Sequence, residues 1–117
     1  MNNLFEIIIL EDAFEFLENL DKKHSEKILY NIRKSQIEHN PELFKKLIDE
    51  IWEFRTLYQG LQYRFLSFWD KTESENTFVV STHGIIKKQS KMPLKEIEKA
   101  KSLRIEYFEQ KKKNNTQ

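Results

Sequence analysis

Hydrophobic residues recur at two different spacings along the chain, and these spacings predict the order of its helices and strands. Residues 4–10 form a short apolar run rich in β-branched residues, which is typical of a strand. From Glu11 to about His39 the apolar positions recur at helical spacing in two stretches, and Asn40-Pro41 ends the second stretch. The first part of the chain therefore predicts a strand followed by an αα-hairpin.

The hydrophobic period changes to two after residue 50. Residues 51–57, 61–69 and 77–83 alternate or are almost continuously apolar, as strands are, and Pro93 suits the first turn of a final helix. Residues 42–50 are interpreted as a short helix or loop. The order β-α-α-β-β-β-α predicts an α+β fold with an N-terminal strand, an αα-hairpin, a mostly antiparallel sheet of three to four strands and a C-terminal helix. We expect the helices to cover one face of this sheet and to leave the other partly open.

Composition is that of an ordinary globular protein. The 117 residues are 38% hydrophobic, which is enough for one core. The absence of cysteine excludes disulfides and thiolate chemistry, and no apolar window approaches the ~20 residues that span a bilayer. We expect a cytoplasmic protein that does not enter a membrane, with a single domain over residues 1–110 and a disordered basic tail over residues 111–117.

The net charge of +1 conceals an asymmetry between the two parts of the chain. Residues 1–54 contain 12 acidic and 7 basic groups, whereas residues 55–117 contain 7 acidic and 13 basic groups. Such asymmetry favours a side that faces a polyanion. The alternative is a solvated helix face with a basic tail.

Two arginines fall inside predicted strands. Arg55 alternates with aromatic residues that should face the helices, so it should point to the open face of the sheet. Arg64 shares its face with large apolar side chains, where a guanidinium needs a partner. A phosphate is one candidate, because the planar guanidinium can bind it in a bidentate fashion. The alternative is a structural ion pair with Glu53 or Asp70.

Further basic candidates follow at the end of the last predicted strand. His83 precedes Gly84, and a histidine with an unperturbed pKa of about 6.5 can transfer a proton at neutral pH; a purely hydrogen-bonded role is the alternative. The basic residues just beyond it are candidates for phosphate binding, namely Lys87, Lys88, Lys91 and Lys95.

Other chemistries lack support in the sequence. Three scattered histidines without cysteine give no metal-ligand spacing. No glycine-rich loop precedes a helix, so a nucleotide-binding P-loop is not predicted. We therefore expect neither a metal nor a small-molecule cofactor.

A set of short motifs resembles a known family when it is taken together. The motifs are Trp52-Glu53-Phe54-Arg55, Gly60 with Tyr63-Arg64, His83-Gly84-Ile85-Ile86-Lys87-Lys88, and Pro93 with Glu96-Ile97 and Ala100. The combination resembles the RelE/ParE superfamily of bacterial toxins and, within it, the HigB-like, phage-derived branch of type II toxin–antitoxin systems. The resemblance covers nearly the whole chain. It implies a RelE-like fold and a ribosome-dependent mRNA endonuclease that cleaves without metal, by attack of the ribose 2′-hydroxyl on the adjacent phosphate.

The resemblance also implies roles for individual residues. Arg64 would contact the scissile phosphate, with Arg55 beside it. Lys87 or Lys88 would stabilise charge in the transition state, and His83 would transfer a proton or orient the RNA.

One departure from the family pattern concerns tyrosine. RelE-like members often place a catalytic tyrosine shortly after the basic residue, whereas residues 89–96 contain none. Tyr107 is the only later tyrosine, and its spacing also fits the core stripe of the final helix. The residue that transfers the proton therefore stays open. The sequence does not indicate a codon preference either.

A toxin of this kind implies a partner, a small helix-turn-helix antitoxin encoded nearby, in addition to mRNA on the ribosome. Two other functions remain open for the same scaffold. One is a ParE-like, gyrase-inhibiting toxin, and the other is a catalytically inactive module that binds only its antitoxin or DNA.

Overall fold

The computed structural model describes residues 3–115, which form a five-stranded sheet with helices on both faces. The elements in chain order are β1 (Glu6–Ile9), α1 (Glu11–Glu18), α2 (Lys22–Ile37), β2 (Phe44–Ile48), β3 (Ile51–Tyr58), β4 (Leu61–Asp70), β5 (Phe78–Ile86) and α3 (Leu94–Asn115). The strands lie in the order β1-β5-β4-β3-β2; the β1–β5 pair is parallel and the other three pairs are antiparallel. The predicted α+β fold is confirmed. Among the described residues, no helix is long and apolar enough to cross a membrane.

The assignments of two segments are corrected. Residues 42–50 were expected to form a short helix or loop, but they contain β2, an edge strand whose Phe44 stacks on Phe54 at a ring distance of 4.4 Å. Residues 111–115, assigned to the tail, are the last residues of α3, where Lys111 Nζ donates to Asp70 at 2.7 Å. The last two residues of the predicted tail lie outside the described part of the chain.

The first face of the sheet, which α1 and α2 cover, holds the main core. Alternation along the strands places Phe54, Tyr63, Phe65 and Val79 in this core together with apolar residues of α1 and α2. Gly84 lies here too, and a Cβ at this position would be 2.7 Å from side-chain atoms of both Phe16 and Phe65. A glycine is therefore required for the close approach of α1 to β5.

The second face is covered in part by α3, which corrects the expectation that all helices lie on one face. Leu66 and Ile51 pack with Ala100 of α3 in a smaller core, and Phe68 meets the ring of Tyr107 at 5.3 Å. The helix begins near His83 and reaches the Asp70 end of β4. Arg55 and Arg64 lie in the next row of the sheet beyond Glu53, Leu66 and His83, on the side away from Asp70.

Candidate functional site

The two strand arginines lie directly opposite each other on β3 and β4. Arg55 and Arg64 are register partners on the second face of the sheet, and for Arg55 this is the face that alternation predicts. They line a cleft of about 410 Å³, here called the arginine cleft, whose other lining residues are Glu42, Thr56, Leu57 and Gln62. Like charges directly opposite each other destabilise a strand pair. The pair therefore needs a compensating anion.

Glu53 supplies part of that compensation. Its Oε1 lies 3.4 Å from Arg64 Nε and its Oε2 lies 3.8 Å from Arg55 Nε. Of the two ion-pair partners considered for Arg64, Glu53 is thus the one that the fold provides, whereas Asp70 is engaged elsewhere. Two guanidiniums share one carboxylate, so the three side chains together retain one positive charge.

Arg64 is the more buried of the two arginines, with a side chain 5% exposed against 29% for Arg55. Its guanidinium donates to the Tyr63 carbonyl at 3.1 Å and to Gln62 Oε1 at 3.0 Å. Among the described residues, the Nε atoms of both arginines and Glu53 Oε1 are buried and find no hydrogen-bond partner. Burial lowers the pKa of Arg64, with Arg55 acting in the same direction and Glu53 opposing them. An oxyanion bound between the guanidiniums would give these donors a further acceptor beside the carboxylate.

His83 does not line the arginine cleft. It is buried under the first turn of α3, where Nε2 lies 3.1 Å from Glu96 Oε1 and Nδ1 lies 2.9 Å from Thr82 Oγ1. Burial lowers the pKa of His83, and Lys99 adds to this effect, while the hydrogen bond to Glu96 opposes it. Both ring nitrogens are occupied, so in this arrangement His83 connects α3 to β5 and has no free nitrogen for a ligand in the cleft.

The lysines expected at the site are distributed along the segment after β5. The Lys87 amide donates to the Gln62 carbonyl at 2.7 Å, which extends the strand ladder and, by alternation, puts Lys87 on the same face as Gln62 and the arginines. Lys88 and Lys91 are exposed in the loop before α3, and Lys95 is exposed in its first turn. None of the four lines the cleft. Lys87 is therefore the lysine best placed to reach an anion there.

Tyr107 has a structural setting far along α3. Its hydroxyl donates to Asp70 at 2.7 Å, and burial, together with Asp70, raises the pKa of Tyr107 to about 12. Asp70 is fully buried. Burial alone would raise the pKa of Asp70, but hydrogen bonds from Lys111, Thr72 and Tyr107 lower it well below the usual range. This cluster fixes the C-terminal half of α3 to β4.

Sequence reasoning missed Gln62 and Glu42 as residues of the cleft. Gln62 could have been found, because period-two alternation along β4 puts it on the same face as Arg64. Glu42 precedes β2 and reaches the cleft through tertiary contact alone. No group of three or more histidines, aspartates or glutamates within residues 3–115 is arranged to hold a metal ion.

A known protein family matches most of the chain. Residues 15–104 match the family model of phage-derived Gp49-like proteins, DUF891, a family associated with RelE-like toxins. The matched segment contains both arginines of the cleft, His83 and the beginning of α3. No curated protein matches the chain.

Proposed function

We propose that this chain, which belongs to the phage-derived Gp49-like family, is the HigB-like toxin of a type II toxin–antitoxin system and cleaves mRNA on the ribosome. The observation that carries the proposal is the Arg55–Arg64 pair, two facing guanidiniums that share one carboxylate at an open cleft. The partner that neutralises it is a helix-turn-helix antitoxin encoded nearby.

The chemistry that suits this pair is charge stabilisation at phosphorus. In the proposed step the ribose 2′-oxygen attacks the adjacent phosphorus, the bond to the 5′-oxygen breaks, and a 2′,3′-cyclic phosphate and a 5′-hydroxyl form. The 2′-hydroxyl loses a proton and the leaving 5′-oxygen gains a proton, so the atoms and charges of the step balance without a metal or a cofactor. Negative charge on the phosphoryl oxygens grows in the transition state, and fixed guanidiniums stabilise it most when water is excluded. Arg64 is held by Glu53 and Gln62 and is therefore preorganised for this role.

Proton transfer is not assigned to His83 in this proposal. Its Nε2 is engaged by Glu96, and using it as a base would require α3 to release that contact. Arg55, which lines the cleft, and Lys87, which lies on the same face outside it, are assigned to the RNA backbone. Lys88, Lys91 and Lys95 extend the basic surface beside it.

The decisive experiment is induction of the chain in cells followed by mapping of mRNA 5′ ends. We expect cuts within translated reading frames. Arg64→Lys keeps the charge but loses the planar fork, and we expect cleavage to fall by about 10²–10³-fold, the usual cost of removing one oxyanion donor. Arg55→Ala should also reduce cleavage, whereas Arg33→Ala, on the exposed surface of α2, is the matched control and should cut normally. Circular dichroism of the purified variants checks that their folds are unchanged.

A second candidate is a module that binds its antitoxin without cutting RNA. It is favoured by the burial of both Arg64 and His83, which leaves few reactive groups accessible. Intact mRNA and normal growth on induction, with the fold retained, would favour it over cleavage. Growth arrest with DNA damage and intact mRNA would instead indicate the gyrase-inhibiting alternative.

A further inference from the structure

Among residues 3–115, the N-terminal strand β1 leaves one edge of the sheet unpaired. Within the described part of the chain it pairs with β5 alone, and the amides of Glu6 and Leu10 donate to backbone carbonyls beside it at 2.8 and 3.0 Å. Successive residues of a strand direct their backbone groups to opposite sides. The N–H and C=O groups of Ile7 and Ile9 therefore point away from β5, to the free edge.

The two edges of the sheet differ in how they are protected. At the opposite edge, β2 carries Lys45 and Lys46 and has a register shift beyond Lys46. Lysines and bulges are the usual devices that keep an edge strand from pairing with another chain. β1 is one glutamate followed by three isoleucines, paired without a register shift. Its edge has the properties of a template for an added strand.

A groove of about 710 Å³ on the second face includes Leu10, the residue that directly follows β1. It runs between the start of α1 and the C-terminal half of α3, and Leu10 and Leu103 give it apolar surface. Along one wall, α3 contributes residues from Leu103 to Asn114, a length of about 16 Å at 1.5 Å per residue. That length equals about five residues of extended chain at 3.3 Å each.

The rim of the groove is acidic. It carries Glu11, Asp12, Glu73 and Glu106 against Lys111. Asp12 is paired with Lys99 at 3.1 Å and Glu73 with Lys111 at 2.9 Å. Within residues 3–115, Glu11 and Glu106 form no ion pair and are exposed. Pairing of β1 with the same strand of a second copy would bring two such acidic rims together, which disfavours self-association.

We infer that the β1 edge and this groove accept an extended, basic segment of a partner protein. The segment adds a sixth strand by pairing with Ile7 and Ile9 and directs lysine or arginine side chains to Glu11 and Glu106. Main-chain hydrogen bonds to the added strand supply the affinity. Every second side chain of that strand enters the groove, and these side chains supply the specificity. The surface is separated from Arg55 and Arg64 by β5, so the inference does not depend on RNA cleavage.

Nuclear magnetic resonance of the ¹⁵N-labelled full chain tests this with defined probes. The probe is a capped seven-residue peptide of alternating valine and lysine, and its control has glutamate in place of each lysine. We expect the basic peptide to slow hydrogen exchange at the amides of Ile7 and Ile9 and to shift amide signals over residues 103–114. The acidic peptide should do neither.

Two variants make the test specific. Ile8 belongs to neither core cluster, and its register partner Val80 lies on the second face of the sheet. Ile8→Lys therefore adds a positive charge on the face of the groove, where it repels the lysines of the peptide. In this variant the basic peptide should no longer slow hydrogen exchange at the amides of Ile7 and Ile9. Ile48→Lys makes the same change at the exposed end of β2 and should leave peptide binding unchanged. Glu106→Lys should weaken binding by about two- to fivefold, as expected for one exposed charge pair.

Three results would overturn the inference. The first is an equal response to both peptides, and the second is binding of the basic peptide elsewhere with Ile7 and Ile9 unprotected. The third is concentration-dependent protection of Ile7 and Ile9 without peptide, which would mean that the edge pairs with a second copy of the chain. Because the readout is binding, cleavage by the Arg64→Lys variant has no bearing on it.

Discussion

Replacement of Glu53 by glutamine isolates the electrostatic role of the arginine cleft. The carboxylate is buried between two facing guanidiniums, 3.4 Å from Arg64 Nε and 3.8 Å from Arg55 Nε. The variant keeps the shape of the side chain but leaves two cations without a counterion. Removing one partner of a buried ion pair costs about 3–5 kcal/mol. Since Arg55 is partly exposed and therefore screened, we expect the free energy of unfolding at pH 7 to fall by about 3 kcal/mol, the lower end of that range.

The assay is urea unfolding followed by tryptophan fluorescence, with Glu42→Gln as the matched control. Glu42 lines the same cleft but is exposed, so its replacement should change the free energy of unfolding by no more than about 0.5 kcal/mol. The comparison thus separates the loss of a buried counterion from a general change of charge at the cleft.

The same variant tests whether the cleft binds an oxyanion. Phosphate in place of chloride at constant ionic strength should stabilise Glu53→Gln more than the wild-type chain, because a ligand that binds only the folded state raises its stability. The reasoning fails if the variant loses less than about 1 kcal/mol, well below the cost of an unpaired buried charge. It also fails if phosphate stabilises both chains equally, since the guanidiniums would then not act as one anion site.

Three further predictions concern groups outside the cleft. Gly84→Ala should lower the free energy of unfolding by about 1–3 kcal/mol through overpacking against Phe16 and Phe65, and an unchanged thermal midpoint would contradict it. Asp70→Asn weakens the charge-assisted bond from Lys111 and should cost about 2–3 kcal/mol at pH 7. Because the pKa of Asp70 is lowered in the folded chain, the stability that its carboxylate contributes is complete above the unfolded pKa of about 3.9 and is lost as the pH falls below that value. A stability difference between wild type and Asp70→Asn that stays constant in urea titrations at acid pH would refute this. For His83 it is burial that lowers the pKa, so below about pH 6.5 the wild-type chain should lose stability relative to His83→Gln. A pKa above 6.5 in an NMR titration of the ring would contradict that sign.

Period-two alternation carried enough information to predict which strand residues share a face. It put Arg55 opposite to the aromatic core residues of β3 and put Arg64 among apolar neighbours, and both placements are confirmed by the sheet register. Alternation left Glu53 and Asp70 open as partners of Arg64, and the fold provides Glu53. These predictions succeed because strand geometry determines the side of each residue locally.

The parts that could not be predicted depend on contacts distant in sequence. β2 escaped notice because Lys45 and Lys46 and a register shift interrupt its alternation, as is common in protected edge strands. The position of α3 was missed because Ala100 is its only fully buried residue within Leu94–Asn115, so its apolar stripe does not identify the face it covers. The partner of His83 is Glu96, thirteen residues later, and that contact exists only because α3 crosses the second face.

The path of α3 explains why the arginine cleft, and not the histidine, is available for binding. Salt bridges from Lys99 to Asp12 and from Lys111 to Asp70 hold the helix over the β5 side and the Asp70 end of the second face. The polar groups beneath it therefore satisfy one another, and His83 is one of them. The row of Arg55 and Arg64 lies beyond the first turn of α3 and has more cations than carboxylates. An anion can bind there without breaking any contact of α3, whereas proton transfer by His83 first requires the loss of its bond to Glu96.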